Sequence, residues 1–259
     1  MPARLFEDLA AYLRTLAGAE VELELETSRS GPRAGEHEPF TSGRIDLAFM
    51  CATSYVWLTA DPGAPVELLG AAWVPADPRS RGRPVYFADV VARAGGPRSL
   101  GELPGRRVAY NDDVSLSGYH GLALALAGAG IDTDAVRLVR SGSHLDSLAL
   151  LCDGEVDAAA IDSTVWRRWR RAQPARARGL RWLAALGPYP VQPAVVRADL
   201  PAATRQAVRA ALLGAADDPA AAAVLADAGF DGFVAVGEAD YAPLRAHLTG
   251  SPPAALAAS

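Results

Sequence analysis

Apolar residues at Leu5, Leu9, Tyr12, Leu13 and Leu16 recur at a helical period, and Gly18 stops the run. The period then changes. Val21-Glu22-Leu23-Glu24-Leu25 alternates strictly, the pattern of a half-exposed strand. Residues 28–38, rich in Gly, Pro and charge, read as a loop. The mostly apolar run Ile45-Asp46-Leu47-Ala48-Phe49-Met50 suits a buried parallel strand. Beyond a Pro-rich passage through Pro62 and Pro65, strands are predicted over 67–73 and 85–91. Strands and helices then alternate, with strands over 107–110, 136–139 and 158–161 and helices over 119–128, 145–152 and 164–171. An Ala-rich helical stretch covers 202–228. Such alternation predicts an α/β chain with mostly parallel sheets flanked by helices.

A short internal echo supports two similar halves. Gly43-Arg44-Ile45-Asp46-Leu47-Ala48 and Gly154-Glu155-Val156-Asp157-Ala158-Ala159 match in type except at the second and fifth positions, and Thr53 and Thr164 follow at the same offset. In open α/β sheets ligands bind outside the carboxyl ends of strands. Polar residues populate such ends at Thr53-Ser54-Tyr55, at Ser115-Leu116-Ser117-Gly118-Tyr119, at Ser143-His144 and at Asp162-Ser163-Thr164.

Composition narrows the chemistry. The chain has 259 residues, half of them hydrophobic, enough to bury one large or two modest cores. Its net charge of −5 argues against broad attraction to nucleic acid or anionic membrane, so any anion site is local. No run of about 18 apolar residues free of charge is present, as a membrane span would need. Acidic Glu7 and Asp8 interrupt the region where a secretory signal would place its apolar core, so the chain as written is expected in the cytoplasm. Cys51 and Cys152 read as small buried residues, and no Cys or His cluster has metal spacing, so neither metal nor cofactor is expected. Trp166-Arg167-Arg168-Trp169-Arg170-Arg171 resembles a nucleic-acid patch, yet both tryptophans fall on one helical face, which favours packing on a sheet.

The chemistry lies at the helix starts. A helix start offers free backbone N–H groups and a positive dipole end, and hydroxyls beside it complete an oxyanion pocket. Ser115, Ser117 and Gly118 offer two hydroxyls and a close backbone approach, although Ser117 also reads as a plain helix cap. Tyr119 is either a core aromatic or a cleft phenol. Ser143 and His144 open the next helix, where the dipole favours a neutral imidazole. Asp162 either caps the following helix or selects ligands by charge.

With these motifs the chain resembles the phosphate/phosphonate/phosphite-type substrate-binding proteins of ABC importers, the PhnD-like branch of the type II periplasmic-binding fold. The resemblance is carried by Gly43 to Phe49 with Tyr55, Leu103 to Ala109, Ser115 to Tyr119, Ser141 to His144, Gly154 to Ser163 and a tail from Phe233 to Tyr241. It implies two lobes about a ligand cleft, residues 1–86 with 193–259 and residues 87–192, joined near Tyr86-Phe87 and Val191-Gln192-Pro193. It further implies a monomer that captures a small oxyanion with Tyr55, Ser115, Ser117, Gly118, Tyr119, Ser143, His144 and Asp162 and delivers it to an ABC permease. Such proteins resemble one another in a leading strand ahead of the first helix, which here follows Met1 directly. The expectation is therefore a true start upstream, with export if a signal lies there. Two other functions compete: an enzyme of lyase or biosynthetic type, using His144 with Asp112, Asp146 or Asp162 as acid and base, and a cytoplasmic solute sensor.

Overall fold

The computed structural model describes residues 3–17, 21–33 and 35–249. Helix α1 (Ala3–Ala17) buries Leu5, Leu9 and Leu13 one turn apart, and Tyr12 donates its hydroxyl to the Ala211 carbonyl at 3.0 Å. Gly18, expected to stop it, lies outside the described residues. The alternating segment from Val21 is not a strand. Leu23 and Leu25 are 40% and 41% exposed, because alternation supplies one apolar face but no described segment runs beside it to complete a ladder.

Strand β1 (Leu47–Phe49) leads into α2 (Ala52–Leu58), and β2 (Val66–Leu68) and β3 (Ala71–Pro75) follow. A single strand over 67–73 was expected; Gly70 divides it at φ 81°, a left-handed conformation that suits glycine. Strand β4 (Val85–Arg93) is buried from Tyr86 through Ala92, as a central strand must be. Next come β5 (Arg107–Tyr110), a π-helical turn (Leu116–His120), α3 (Gly121–Gly128), β6 (Arg137–Arg140), α4 (His144–Asp153), β7 (Ala158–Asp162), α5 (Ser163–Ala172) and the short α6 (Pro174–Ala177). The chain returns through β8 (Leu180–Pro190) and β9 (Ala194–Arg197) to α7 (Ala202–Leu213), α8 (Pro219–Ala228), β10 (Phe230–Ala235) and α9 (Glu238–Thr249). The Ala-rich stretch is thus two helices, because Asp218 caps a new one, accepting from the Ala220 and Ala221 N–H groups, with Pro219 at its first position.

One lobe holds a five-stranded sheet in the order β6-β5-β7-β4-β8. Here β5 pairs in parallel with β6 and β7, while β4 runs antiparallel to β7 and β8. The other lobe holds β1-β9-β2 and β10-β3, all antiparallel. The expectation of mostly parallel sheets, with 45–50 a parallel strand, is corrected accordingly. The strands that return late in the chain, β9 and β10, enter from the far side and run against β1, β2 and β3.

Side-chain alternation along β4 gives the five-stranded sheet a core on each face. Val90 joins Leu103, Val108, Leu122 and Leu126 on one face; Val91 joins Leu148, Leu151, Ile161 and Trp166 on the other. Trp166 stacks on Trp169 at 5.6 Å, so the Trp/Arg segment packs on the sheet as its spacing predicts. In the other lobe Trp73 lies between Phe49 and Phe230, with ring centres 4.4 and 5.1 Å away. Val114 and Leu116, carried by the five-stranded lobe, pack into this second core and seat the lobes against each other.

Candidate functional site

Four helix starts gather where the lobes meet. Ser115 caps the π-helical turn, its hydroxyl accepting the Gly118 N–H at 3.0 Å. The cap is therefore Ser115 and not Ser117, and the Ser117 hydroxyl instead meets His144 Nε2 at 3.3 Å. Ser143 caps α4 and exchanges hydrogen bonds with Asp146 at 3.0 and 2.7 Å, so its hydroxyl is spent within its own helix. Asp162 caps α5 through Oδ1, which accepts from Thr164, and its Oδ2 accepts from Gln192 at 3.0 Å. The opposite lobe supplies Cys51, Thr53 and Ser54 at the start of α2. Thr53 donates to the Val114 carbonyl, and Cys51 Sγ accepts the Leu116 N–H at 3.2 Å.

Burial dominates the electrostatics. It lowers the pKa of His144, against the raising effect of Asp162, so the ring is neutral, as its helix start also favours. Tyr86, near the start of β4, is buried with its hydroxyl beside Ser117, and desolvation pushes its pKa well up, so it stays a phenol donor. Asp112 is held by the Val114 N–H at 2.9 Å, Ser30 Oγ at 2.6 Å and Asn111 Nδ2 at 2.8 Å. Ser54 Oγ, Asn111 Oδ1 and His144 Nδ1 are buried without a hydrogen-bond partner. A buried polar atom left unpaired costs roughly 1–3 kcal/mol; of these three, the Ser54 hydroxyl can donate to an anion whereas Asn111 Oδ1 only accepts, and Trp73 Nε1, Arg205 Nε and Tyr241 Oη are unpaired elsewhere.

The expected residues divide into two groups. Ser117, Gly118, His144 and Asp162 lie together; a Cβ on Gly118 would fall 1.9 Å from Asn111 Oδ1, so this position tolerates glycine only. Tyr55 turns elsewhere, with its hydroxyl on Glu238 and its ring against Tyr241 at 5.2 Å, because its place in α2 faces α9. Tyr119 packs against Tyr110 and His120, each 5.2 Å away, as a core aromatic. Ser115 and Ser143 act as caps. Tyr86, Asn111 and Cys51 were not singled out as site residues in the sequence. Only the position of Tyr86 at a predicted crossing signalled it. Asp112, Asp146 and Asp162 accept from the Val114, Ser143 and Thr164 groups, respectively, and none is hydrogen-bonded to His144.

His120, next to the site, is buried and donates Nε2–H to the Asp113 carbonyl at 3.0 Å. Desolvation brings its pKa down to about 4. The unfolded chain binds this proton more readily, so the group's contribution is complete above about pH 6.5 and is lost as pH falls toward 4. The expected loss is about 3 kcal/mol. Urea melts between pH 7 and 4 check this, and His120→Gln, which keeps a donor without titrating there, should flatten the slope.

The chain matches, over residues 3–241, the family described as ABC transporter, phosphonate, periplasmic substrate-binding protein. No curated protein sequence matches it significantly. Among solved structures it is similar to PA3383 from Pseudomonas aeruginosa, a binding protein component of an ABC phosphonate transporter, with TM-score 0.79 and 20% identity over 94% of this chain and 80% of that one. PhnD1 from Prochlorococcus marinus in complex with methylphosphonate aligns at TM-score 0.77 and 16% identity, over 95% and 92% of the two chains. XAC2383 from Xanthomonas citri bound to ATP aligns at 0.72 and 21%, over 96% and 92%. These likenesses establish the two-lobed type II periplasmic-binding fold. By the family match, the chain belongs to the periplasmic phosphonate substrate-binding proteins of ABC transporters, a family of solute binders and not of enzymes.

Proposed function

We propose that this protein captures a small phosphorus oxyanion, of the phosphonate, phosphite or phosphate class, between its lobes and hands it to an ABC permease. The observation that carries this reading is the convergence of the helix starts at Ser115–Gly118, Ser143 and Asp162 with the unpartnered buried Ser54 hydroxyl beside them. The Ser117–His144 pair, sharing one hydrogen bond, supplies one neutral donor to the anion and the Tyr86 phenol another, with the helix start behind them. The lobes comprise residues 1–86 with 193–259 and residues 87–192, and hinge at Tyr86 and Gln192. The protein acts as a monomer on the extracytoplasmic side, in keeping with a periplasmic family; the cytoplasmic location expected from the amino terminus finds no support.

Calorimetric titration of the intact protein with methylphosphonate, phosphite, phosphate and sulfate tests this reading, with phosphorus NMR of the recovered phosphorus ligands. At least one phosphorus oxyanion should bind saturably and return unchanged. Failure of all of them to bind, or conversion of a bound one, would contradict it.

A further inference from the structure

Residues Ser30 to Arg33 leave one lobe and reach across to the loop that follows β5 in the other. Ser30 Oγ donates to Asp112 Oδ2 at 2.6 Å, and Asn111 Nδ2 donates to Ser30 Oγ at 3.3 Å. Arg33 pairs with Asp113 at the rim. On its inner side the segment is bonded to the floor of the cleft, where the Cys51 N–H donates to the Ser30 carbonyl at 2.9 Å. Gly31 lies directly on Ser54, since a Cβ there would meet Ser54 Oγ at 2.4 Å. Ser54 borders the proposed anion site, so the crossing segment lies over that site.

We infer that Ser30-Gly31-Pro32-Arg33 is a strap that fastens the two lobes over the cleft, and that solute enters and leaves only when its bonds to Asp112 and Asp113 release. The inference depends on the proposed anion site only for what lies beneath the strap. The Ser30 bond is to a carboxylate that is 1% exposed, whereas Arg33 is 45% exposed and its pairing is weak by comparison. Ser30 is therefore the main fastening, and Arg33 adds a salt-sensitive one.

The two cysteines provide the test. Cys51 is buried under the strap, while Cys152 is partly exposed on α4. Alkylation of the intact protein by iodoacetamide, read peptide by peptide, gives the ratio of Cys51 to Cys152 labelling and so separates strap opening from global unfolding. The parent should label Cys51 far more slowly than Cys152. Ser30→Ala should raise the ratio roughly tenfold and Arg33→Ala a few-fold. An unchanged ratio in the double variant, or equal labelling of both cysteines in the parent, would overturn the strap. Saturating methylphosphonate should slow Cys51 labelling in the parent. If it has no effect while the strap variants still raise the ratio, the methylphosphonate site fails and the strap stands; slowing by methylphosphonate with an unchanged ratio gives the reverse.

Discussion

The Ser117→Ala/His144→Ala double variant should remain folded and lose phosphorus-oxyanion affinity by a factor of about ten to a hundred and fifty. A hydrogen bond to a charged ligand contributes roughly 1.5–3 kcal/mol, and the Ser117–His144 pair, bonded to each other, supplies one. The Ser117 hydroxyl and His144 Nε2 bond to each other, with Tyr86 and the Ala160 backbone as their further neighbours, and neither side chain caps a helix. Ser115→Ala is the contrasting change. Its hydroxyl caps the turn at Gly118, so it should cost about 1 kcal/mol of stability and little affinity. Calorimetry on folded variants, with matched thermal melts, separates the two patterns.

Gly118→Ala should destabilise the protein by about 1–3 kcal/mol and abolish tight binding. The added methyl would sit 1.9 Å from Asn111 Oδ1 and 3.2 Å from Ser115 Oγ. The Asn111 side chain would have to leave, releasing its bonds to Asp112 and Ser30. The clash is local, so in an Asn111→Ala background Gly118→Ala should cost much less stability than it does in the parent, while tight binding stays lost. A double-mutant cycle by thermal melting measures this coupling; purely additive losses would show that the contact is not the cause.

The elements from β5 to α5 were legible because each carries one clear period and a local stop signal. Ser143 and Gly154 bracket α4, and Asp162 opens α5. Strand direction was not legible: the period of β1 reports its burial, whereas its antiparallel partner β9 lies 145 or more residues further along the chain. The alternating run after α1 failed for the same reason, since a ladder partner is a property of the whole fold. At the site, the sequence located the helix starts but not the division of labour among their hydroxyls. Ser115 and Ser117 are equivalent as letters; only the geometry makes the first a cap and leaves the second facing His144. Tyr55 was misplaced because the side a helical residue faces depends on neighbours such as α9 that local sequence does not reveal. Cys51 and Asn111 entered the site through tertiary approach, and Tyr86 was signalled only by its place at a predicted crossing.

Anion capture at the π-helical turn is tested most directly by amide chemical shifts in the isotope-labelled protein as methylphosphonate is added. The largest changes should fall on the Leu116, Ser117 and Gly118 amides and on the His144 ring, with Tyr86 following. Saturation with those signals unmoved, or with the main changes around Thr59 and Glu238 on the outer face of the smaller-sheet lobe, would contradict an anion site at this helix start.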